Sequence, residues 1–255
     1  MLAYPWQWLS AVTGLRLQFE IPCSIDLERL QAELDEVNQY YRAKAQDGPY
    51  HNGNWKRLGL VAPEGDPFLT HLKYGQSRRP TPVLELMPSV QKLMDDMASP
   101  VRNAYISVME PGAHVRWYRD RAHSIDLATA RLHVPILTAP SSILRIGHEV
   151  VHWSAGKLWY ADFSFPHSVD NGWDRPRVHI ILDIEATDAL RAAFPPDHMA
   201  AAPLRNTVRK AVARMFDFSE KLHPEGRKAI QARAKRQIER DRASGDQQHE
   251  GVPAD

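Results

Sequence analysis

The chain has 255 residues, and its 32 Lys+Arg against 31 Asp+Glu leave a formal net charge of +1. That balance removes any global electrostatic reason to bind nucleic acid or an anionic membrane, while 43% hydrophobic and 25% charged residues fit a folded globular protein. A single cysteine, Cys23, excludes a disulfide scaffold and a cysteine-rich zinc or iron–sulfur centre. No apolar run reaches the roughly 18 residues of a membrane-spanning helix, and the first twenty residues lack the basic and apolar regions of a secretory signal. A cytoplasmic location is the expectation.

Residues 1–23 combine aromatics with an alternating run at 15–21, a predicted strand. Asp26 caps a predicted helix in which Leu27, Leu30, Leu34 and Val37 recur at helical spacing. Residues 46–82 are rich in Gly, Pro, Asn and Asp, and read as loops around short strands such as 57–61. Pro88 opens a second short helix with Val90, Leu93, Met94 and Met97 inward. From about 101 to 184, short alternating runs separated by turn residues predict a barrel or sandwich rather than a parallel α/β fold. The chain then turns helical, with Leu204, Val208, Val212 and Met215 as an apolar stripe. Residues 226–242 carry seven basic and two acidic side chains. A solvated helix is the plain reading of that stretch, and a docking surface for an acidic carrier protein or nucleic acid is the minority one. Residues 244–255 read as a disordered tail.

Side chains alternate faces along a strand. At 113–120 this puts His114, Arg116, Tyr118 and Asp120 on one face, and Val115, Trp117 and Arg119 on the other. At 131–137 Arg131, His133 and Pro135 oppose Leu132, Val134 and Ile136. At 177–184 Arg177, His179, Ile181 and Asp183 oppose Val178, Ile180, Leu182 and Ile184. A sheet with one wet face accounts for such alternation. Yet neither of the last two strands uses Lys or Glu on its polar face, and both use Arg-x-His. Arg grips carboxylates through paired hydrogen bonds and His serves as metal ligand or neutral-pH donor. Two such strands facing one cavity make an anion pocket. Adding Asp120 and His167 gives part of the two-His, one-carboxylate set of a mononuclear iron oxygenase. His148-Glu149-Val150-Val151-His152 matches a zinc-hydrolase motif literally, but that motif needs a helix and the β-branched context predicts a strand.

An ordered series of motifs resembles the aspartyl/asparaginyl β-hydroxylases, among the iron(II)/2-oxoglutarate dioxygenases. It comprises Asn52-Gly53-Asn54-Trp55 with Leu58-Gly59-Leu60, Pro100-Val101-Arg102, Glu110-Pro111-Gly112-Ala113, Tyr118-Arg119-Asp120, Arg131-Leu132-His133-Val134-Pro135-Ile136, Gly156-Lys157-Leu158-Trp159, Pro166 through Asn171, and Arg177-Val178-His179. The series covers roughly residues 12–190. The resemblance implies a mainly β fold, a double-stranded β-helix (jelly-roll) barrel with flanking N-terminal helices. It also implies iron(II), 2-oxoglutarate and dioxygen. By position, Asp120 and His167 become metal ligands, and Arg131, His133 and Arg177 hold 2-oxoglutarate. The family's first metal histidine is Tyr118 here, and three readings follow: an active oxygenase in which Tyr118 or water completes the site, a pocket that keeps a dicarboxylate without oxygen chemistry, or entry of His114 or His123. The organisation expected is a jelly-roll domain at 1–190 with an α/β lead-in, a C-terminal helical appendage at 191–243 and the tail. The activity expected is hydroxylation of an amino acid, peptide or related small molecule. The rivals are a non-catalytic ligand-binding or interaction protein on the same barrel, and a zinc hydrolase using His148, Glu149 and His152.

Overall fold

The computed structural model describes residues 3–45, 50–70 and 73–222. The basic stretch 226–242 and the tail 244–255 lie outside the described residues. In chain order the elements are α1 (Pro5–Val12), β1 (Gln18–Ile21), α2 (Leu27–Tyr40), β2 (Lys44–Ala45), β3 (Trp55–Pro63), β4 (Arg78–Pro80), α3 (Pro82–Glu85), α4 (Pro88–Asp95), β5 (Val101–Met109), β6 (His114–Tyr118), β7 (Thr129–Leu137), β8 (Ser142–Ile146), β9 (Glu149–Val151), β10 (Leu158–Ala161), β11 (His167–Asn171), β12 (Arg177–Glu185), α5 (Asp188–Ala192), α6 (Pro196–Ala200) and α7 (Ala202–Leu222). The larger sheet runs β1-β10-β7-β12-β5-β3-β2, with β4 on β3, and the smaller runs β6-β11-β8-β9. All their pairings are antiparallel. This is the jelly-roll barrel with flanking helices.

The alternation in β7 and β12 explains how the barrel is built. Leu132, Val134 and Ile136 of β7 and Val178, Ile180, Leu182 and Ile184 of β12 pack against Leu30, Leu34 and Val37 of α2 and Val90 of α4. The apolar faces therefore back onto helices outside the barrel, and the Arg-x-His faces are left to line its interior. Helix α2 starts where the Asp26 carboxylate accepts from the Arg29 amide at 3.1 Å. Helix α1 has no helical apolar period in its sequence. It begins with a proline, and the Gln7 side chain accepts from the amides of Ala3 and Tyr4 at 2.8 and 3.1 Å.

Helix α7 closes the smaller sheet. Its Val208, Val212 and Phe216 pack with Trp6, Leu144, Ile146 and Phe165. The expected apolar stripe is displaced, because Leu204 is 47% exposed and Arg205 is fully buried in its stead. Arg205 Nε and Nη2 donate to the two Asp126 oxygens at 2.7 and 2.5 Å. Arg209 Nη2 donates to Asp126 and Asp162 at 2.8 Å each. Buried acids on the barrel thus draw arginines into a helix face that hydrophobic periodicity alone would not assign.

Gly147 adopts φ +55, and a Cβ there would run into Leu17 and Ser10. The segment is a turn followed by β9, so His148 and His152 never share a helix face. His148 Nδ1 meets the Ser10 hydroxyl at 2.9 Å, Glu149 accepts from the Leu17 amide at 2.5 Å, and His152 Nδ1 lies 3.3 Å from the Ser142 carbonyl. The zinc-hydrolase reading is corrected on that geometry.

Two outcomes follow for stability. Asp162 is fully buried and accepts from Ser124 Oγ at 3.0 Å as well as from Arg209. Asp162→Asn removes one of the two carboxylates that hold Arg209, leaving Asp126 as its partner, and is expected to cost about 1–3 kcal/mol in urea unfolding. His198 of α6, packed on Phe19 at 4.8 Å, is pushed down to about 4 by burial and by Arg205. The unfolded chain binds this proton from about pH 6.5 and the folded protein does not until about 4. Its contribution is therefore complete above pH 6.5 and lost as pH falls, at up to about 1.4 kcal/mol per unit. In urea curves at pH 7.5, 6.0 and 5.0, the unfolding free energy of wild type is expected to fall relative to that of His198→Phe as the pH is lowered.

Candidate active site

The geometry of the site starts at a bulge. His167 of β11 pairs with Tyr118 of β6, while Val169 pairs with Val115, so three steps of β6 match two of β11. The extra residue breaks the alternation expected for 113–120. Tyr118 shares a cluster with Val115, Met109 and Ala113. Arg116 instead reaches Glu220 of α7 at 2.8 Å, Arg119 reaches Asp217 at 2.7 Å, and Trp117 meets Trp6 edge-on at 4.8 Å. The outward residues of β6 thus tie it to α1 and α7, and Tyr118 turns inward, stacked on Tyr50 at 5.1 Å and tilted against His167 at 4.2 Å.

Asp120 lies beyond the end of β6, where its amide donates to the Phe163 carbonyl at 2.9 Å. The same turn donates the Ser164 amide to the His123 carbonyl at 3.1 Å. This turn, between β10 and β11, is anchored by Asp162 and so by Arg209 of α7. The stitching brings Asp120 Oδ2 to 4.0 Å from His167 Nε2. His167 is fully buried, and its Nδ1 donates to the Phe165 carbonyl at 3.0 Å. That bond fixes the tautomer and leaves Nε2 as a lone pair, which has no hydrogen-bond partner. Burial holds the ring below the usual imidazole range, against the pull of Asp120, so it is neutral at pH 7.

A neutral imidazole nitrogen with no partner, facing a carboxylate across 4.0 Å, fits two protein positions of a metal site. Among the described residues, no three His, Cys, Asp or Glu side chains converge to hold a metal ion. The third group beside His167 and Asp120 is the Tyr118 phenol. Burial, reinforced by Asp120, pushes that phenol well above its ordinary range, so it carries its proton unless a cation beside it reverses the balance. His114 is exposed and bonded to Asp170 at 2.5 Å, on the outside of the barrel. His123 lies inside, with Nε2 3.1 Å from Arg131 Nη2.

The two arginines expected to act together have different surroundings. Arg131 and Asp183 are direct partners across β7 and β12, and the guanidinium grips that carboxylate through Nε at 2.6 Å and Nη2 at 3.1 Å. Its Nη1 donates to Asp120 Oδ2 at 2.7 Å. Arg131 is thus spent on two carboxylates. Arg177 is 5% exposed, and among the described residues its hydrogen-bond partners are Met109 Sδ at 3.5 Å and His179 Nδ1 at 3.2 Å. Among the described residues it has no carboxylate within ion-pair distance. Burial pushes it down to about 9, still charged at neutral pH. His133, stacked on Phe163 at 5.0 Å, leaves both ring nitrogens without a partner, and His179 leaves Nε2. Burial and then Arg177 hold both rings well below the usual range, hence neutral.

Sequence alternation placed Asp183 and His179 on the correct face without assigning them a role. Asp183, held well down by Arg131 against its burial, completes the chain Asp183–Arg131–Asp120. Its spacing of six from Arg177 on one strand face was the available signal. Arg57, Arg78 and Asn103 enter the cavity from other strands and carried none. That cavity, about 480 Å³, is lined by these residues with Tyr118, Asp120 and Asp183.

An unpaired buried guanidinium has a measurable consequence. Replacing it with an apolar side chain of similar length removes an uncompensated desolvation cost. Arg177→Met is expected to raise the unfolding free energy of the ligand-free protein by about 1–3 kcal/mol. Arg131→Met is expected to lower it, because Asp120 and Asp183 lose their partner. Urea unfolding of both variants checks the contrast.

A family model described as aspartyl/asparaginyl beta-hydroxylase matches residues 24–187. The L-proline cis-4-hydroxylase of Rhizobium meliloti (strain 1021) is 27% identical over 117 residues, a match spanning 45% of this chain and 40% of that protein. Among solved structures, a 2OG-Fe(II) oxygenase family oxidoreductase from Burkholderia pseudomallei is 10% identical, with 73% of this chain and 93% of the other covered at a TM-score of 0.48. A Pseudomonas putida prolyl-4-hydroxylase is 12% identical, with 71% and 98% covered at a TM-score of 0.42. The family match takes in β1's successor α2 through to the end of β12, well over half the chain, and the protein belongs to the aspartyl/asparaginyl β-hydroxylase family.

Proposed function

We propose that this chain is an iron(II)- and 2-oxoglutarate-dependent hydroxylase of an amino acid, a peptide or a related small molecule. The observation that carries the reading is the buried Arg177 without a carboxylate, beside three imidazole nitrogens of His133 and His179 without partners. A dicarboxylate co-substrate would supply the missing anion and acceptors. Iron(II), with 2-oxoglutarate and dioxygen, supplies the oxidant that turns a substrate C–H into C–OH, leaving succinate and carbon dioxide.

The chain's own residues have distinct tasks in this reading. Asp120 and His167 would hold the metal, the first as an anion and the second through its free Nε2. Phe165 fixes the His167 tautomer, and Arg131 orients Asp120 by holding one of its oxygens. Arg177 and His133, with His179 behind them, would hold the co-substrate. Arg131 was expected there as well, but its commitment to Asp183 and Asp120 supports a positioning role. Tyr118 would face the metal as a phenol, or as a phenolate once the metal lowers its pKa.

The second reading, a 2-oxoglutarate-binding protein without oxygen chemistry, is favoured by one feature, the protonated phenol where the family carries a histidine. Metal and co-substrate titrations separate the two. Wild type is expected to bind iron(II) anaerobically and form succinate in air, and Asp120→Ala and His167→Ala to lose metal affinity by more than about tenfold. Arg177→Met is expected to weaken 2-oxoglutarate about ten- to a hundredfold. Tyr118→His is expected to tighten the metal. Co-substrate binding without metal in wild type, with metal binding and turnover gained only in Tyr118→His, would establish the second reading.

A further inference from the structure

The cavity lined by Tyr118 and Asp120 holds two more guanidiniums. Arg57 Nη2 and Arg78 Nη1 both donate to one neutral oxygen, Asn103 Oδ1, at 2.8 and 3.0 Å. Among the described residues, neither arginine has a carboxylate within ion-pair distance. The nearby acid, Asp183, is already held by Arg131 and by Asn103 Nδ2 at 2.7 Å. Arg57 lies over the Tyr105 ring at 3.8 Å, and its Nε is buried without a partner. Two cations converging on a single amide oxygen repel each other, and such an arrangement is stable only at a cost that an arriving anion would remove.

Three features orient the pair. Tyr105 fixes the plane of the Arg57 guanidinium from below. Asn103 is itself oriented by Asp183, its direct partner across β5 and β12. Asp183 in turn orients Arg131, which holds Asp120. One bonded chain thus runs from the two free guanidiniums to the carboxylate of the candidate metal site. The cavity's roughly 480 Å³ suits a molecule the size of an amino acid rather than a folded partner.

We infer that Arg57 and Arg78 form the clamp for a carboxylate of the substrate, that the substrate is a small amino acid or comparable carboxylic acid, and that the clamp aims its C–H at the site of Asp120, His167 and Tyr118. The inference takes the word substrate from the oxygenase reading, yet the clamp is testable without turnover. Burial, and then Arg131 and Arg78, lower the Arg57 guanidinium from its ordinary value, in keeping with a site that lacks an anion.

The probes are the twenty amino acids as free acids and as their primary amides, titrated calorimetrically into wild type, Arg57→Gln, Arg78→Gln and Arg57→Lys. At least one free acid is expected to bind wild type, with its amide about ten- to a hundredfold weaker and each glutamine variant showing the same loss. Arg57→Lys is expected to recover part of the affinity, because it restores charge without the bidentate fork. 2-Oxoglutarate affinity is measured in parallel and is expected to hold in all three variants. Equal binding of acid and amide, no free acid bound by wild type, or loss of 2-oxoglutarate together with the acid in the arginine variants would overturn the clamp. Failure of wild type to bind 2-oxoglutarate, with acid binding still dependent on Arg57 and Arg78, would overturn the oxygenase reading and leave the clamp standing.

Discussion

A guanidinium stays protonated inside a protein, so every arginine folded into the interior needs a carboxylate or a substitute for one. This constraint orders the whole barrel. Arg205 and Arg209 meet Asp126 and Asp162, and in doing so fasten α7 to the turn before β11. Arg131 meets Asp183 and Asp120, and fastens the loop after β6 to the central strands. Among the described residues, Arg177, Arg57 and Arg78 are left without an acid. The first group of arginines makes the architecture, and the second holds the guanidiniums that the proposed ligands would neutralise. Both cost desolvation energy on folding, but only the first recovers it within the chain.

The two groups are linked through backbone, not only through charge. Asp162 anchors the 162–166 turn, whose Phe163 carbonyl accepts from the Asp120 amide and whose Phe165 carbonyl fixes the His167 ring. Neither carbonyl depends on the identity of its own side chain. The precision of the site is therefore set by the burial of two acids that never touch it. The bulge at His167–Val169 acts in the same sense, turning Tyr118 inward while the outer side chains of β6 bind α7.

Much of this was legible in the sequence because β-alternation is local. The polar faces of β7 and β12, the Asp26 cap and the proline start of α4 follow from spacing alone. Alternation failed at 113–120, since a bulge is a property of two strands and only one is visible in a local pattern. It also failed on α7, where Arg205 and Arg209 replace part of the expected apolar stripe because their acids lie 79 and 47 residues away. The same limit hid Arg57 and Arg78. Whether an arginine is neutralised or poised depends on which carboxylate reaches it first, and the Arg131–Asp183 pair is decided by sheet register. Two identical Arg-x-His strings consequently play different parts.

Charge along the inner face of β12 sets the final constraint on any reaction carried out there. Arg177 lies at one end, and Asp183, with Arg131 and Asp120, lies six residues along the same face. Arg57 and Arg78 meet Asn103, which is bonded to Asp183. Both ends carry unneutralised cations, and the interior between them holds neutral imidazoles and a neutral phenol. A divalent metal at Asp120 and His167 would add further positive charge to this low-dielectric interior. Such a site gains stability from anions at both ends. It also favours ionisation of whichever neutral acid lies nearest the metal. Tyr118, tilted against His167 with ring centroids 4.2 Å apart, would be that acid. On the proposed reading, replacing a neutral histidine with a tyrosine would not remove a ligand; it would exchange a neutral donor for one that brings its own negative charge to a bound metal.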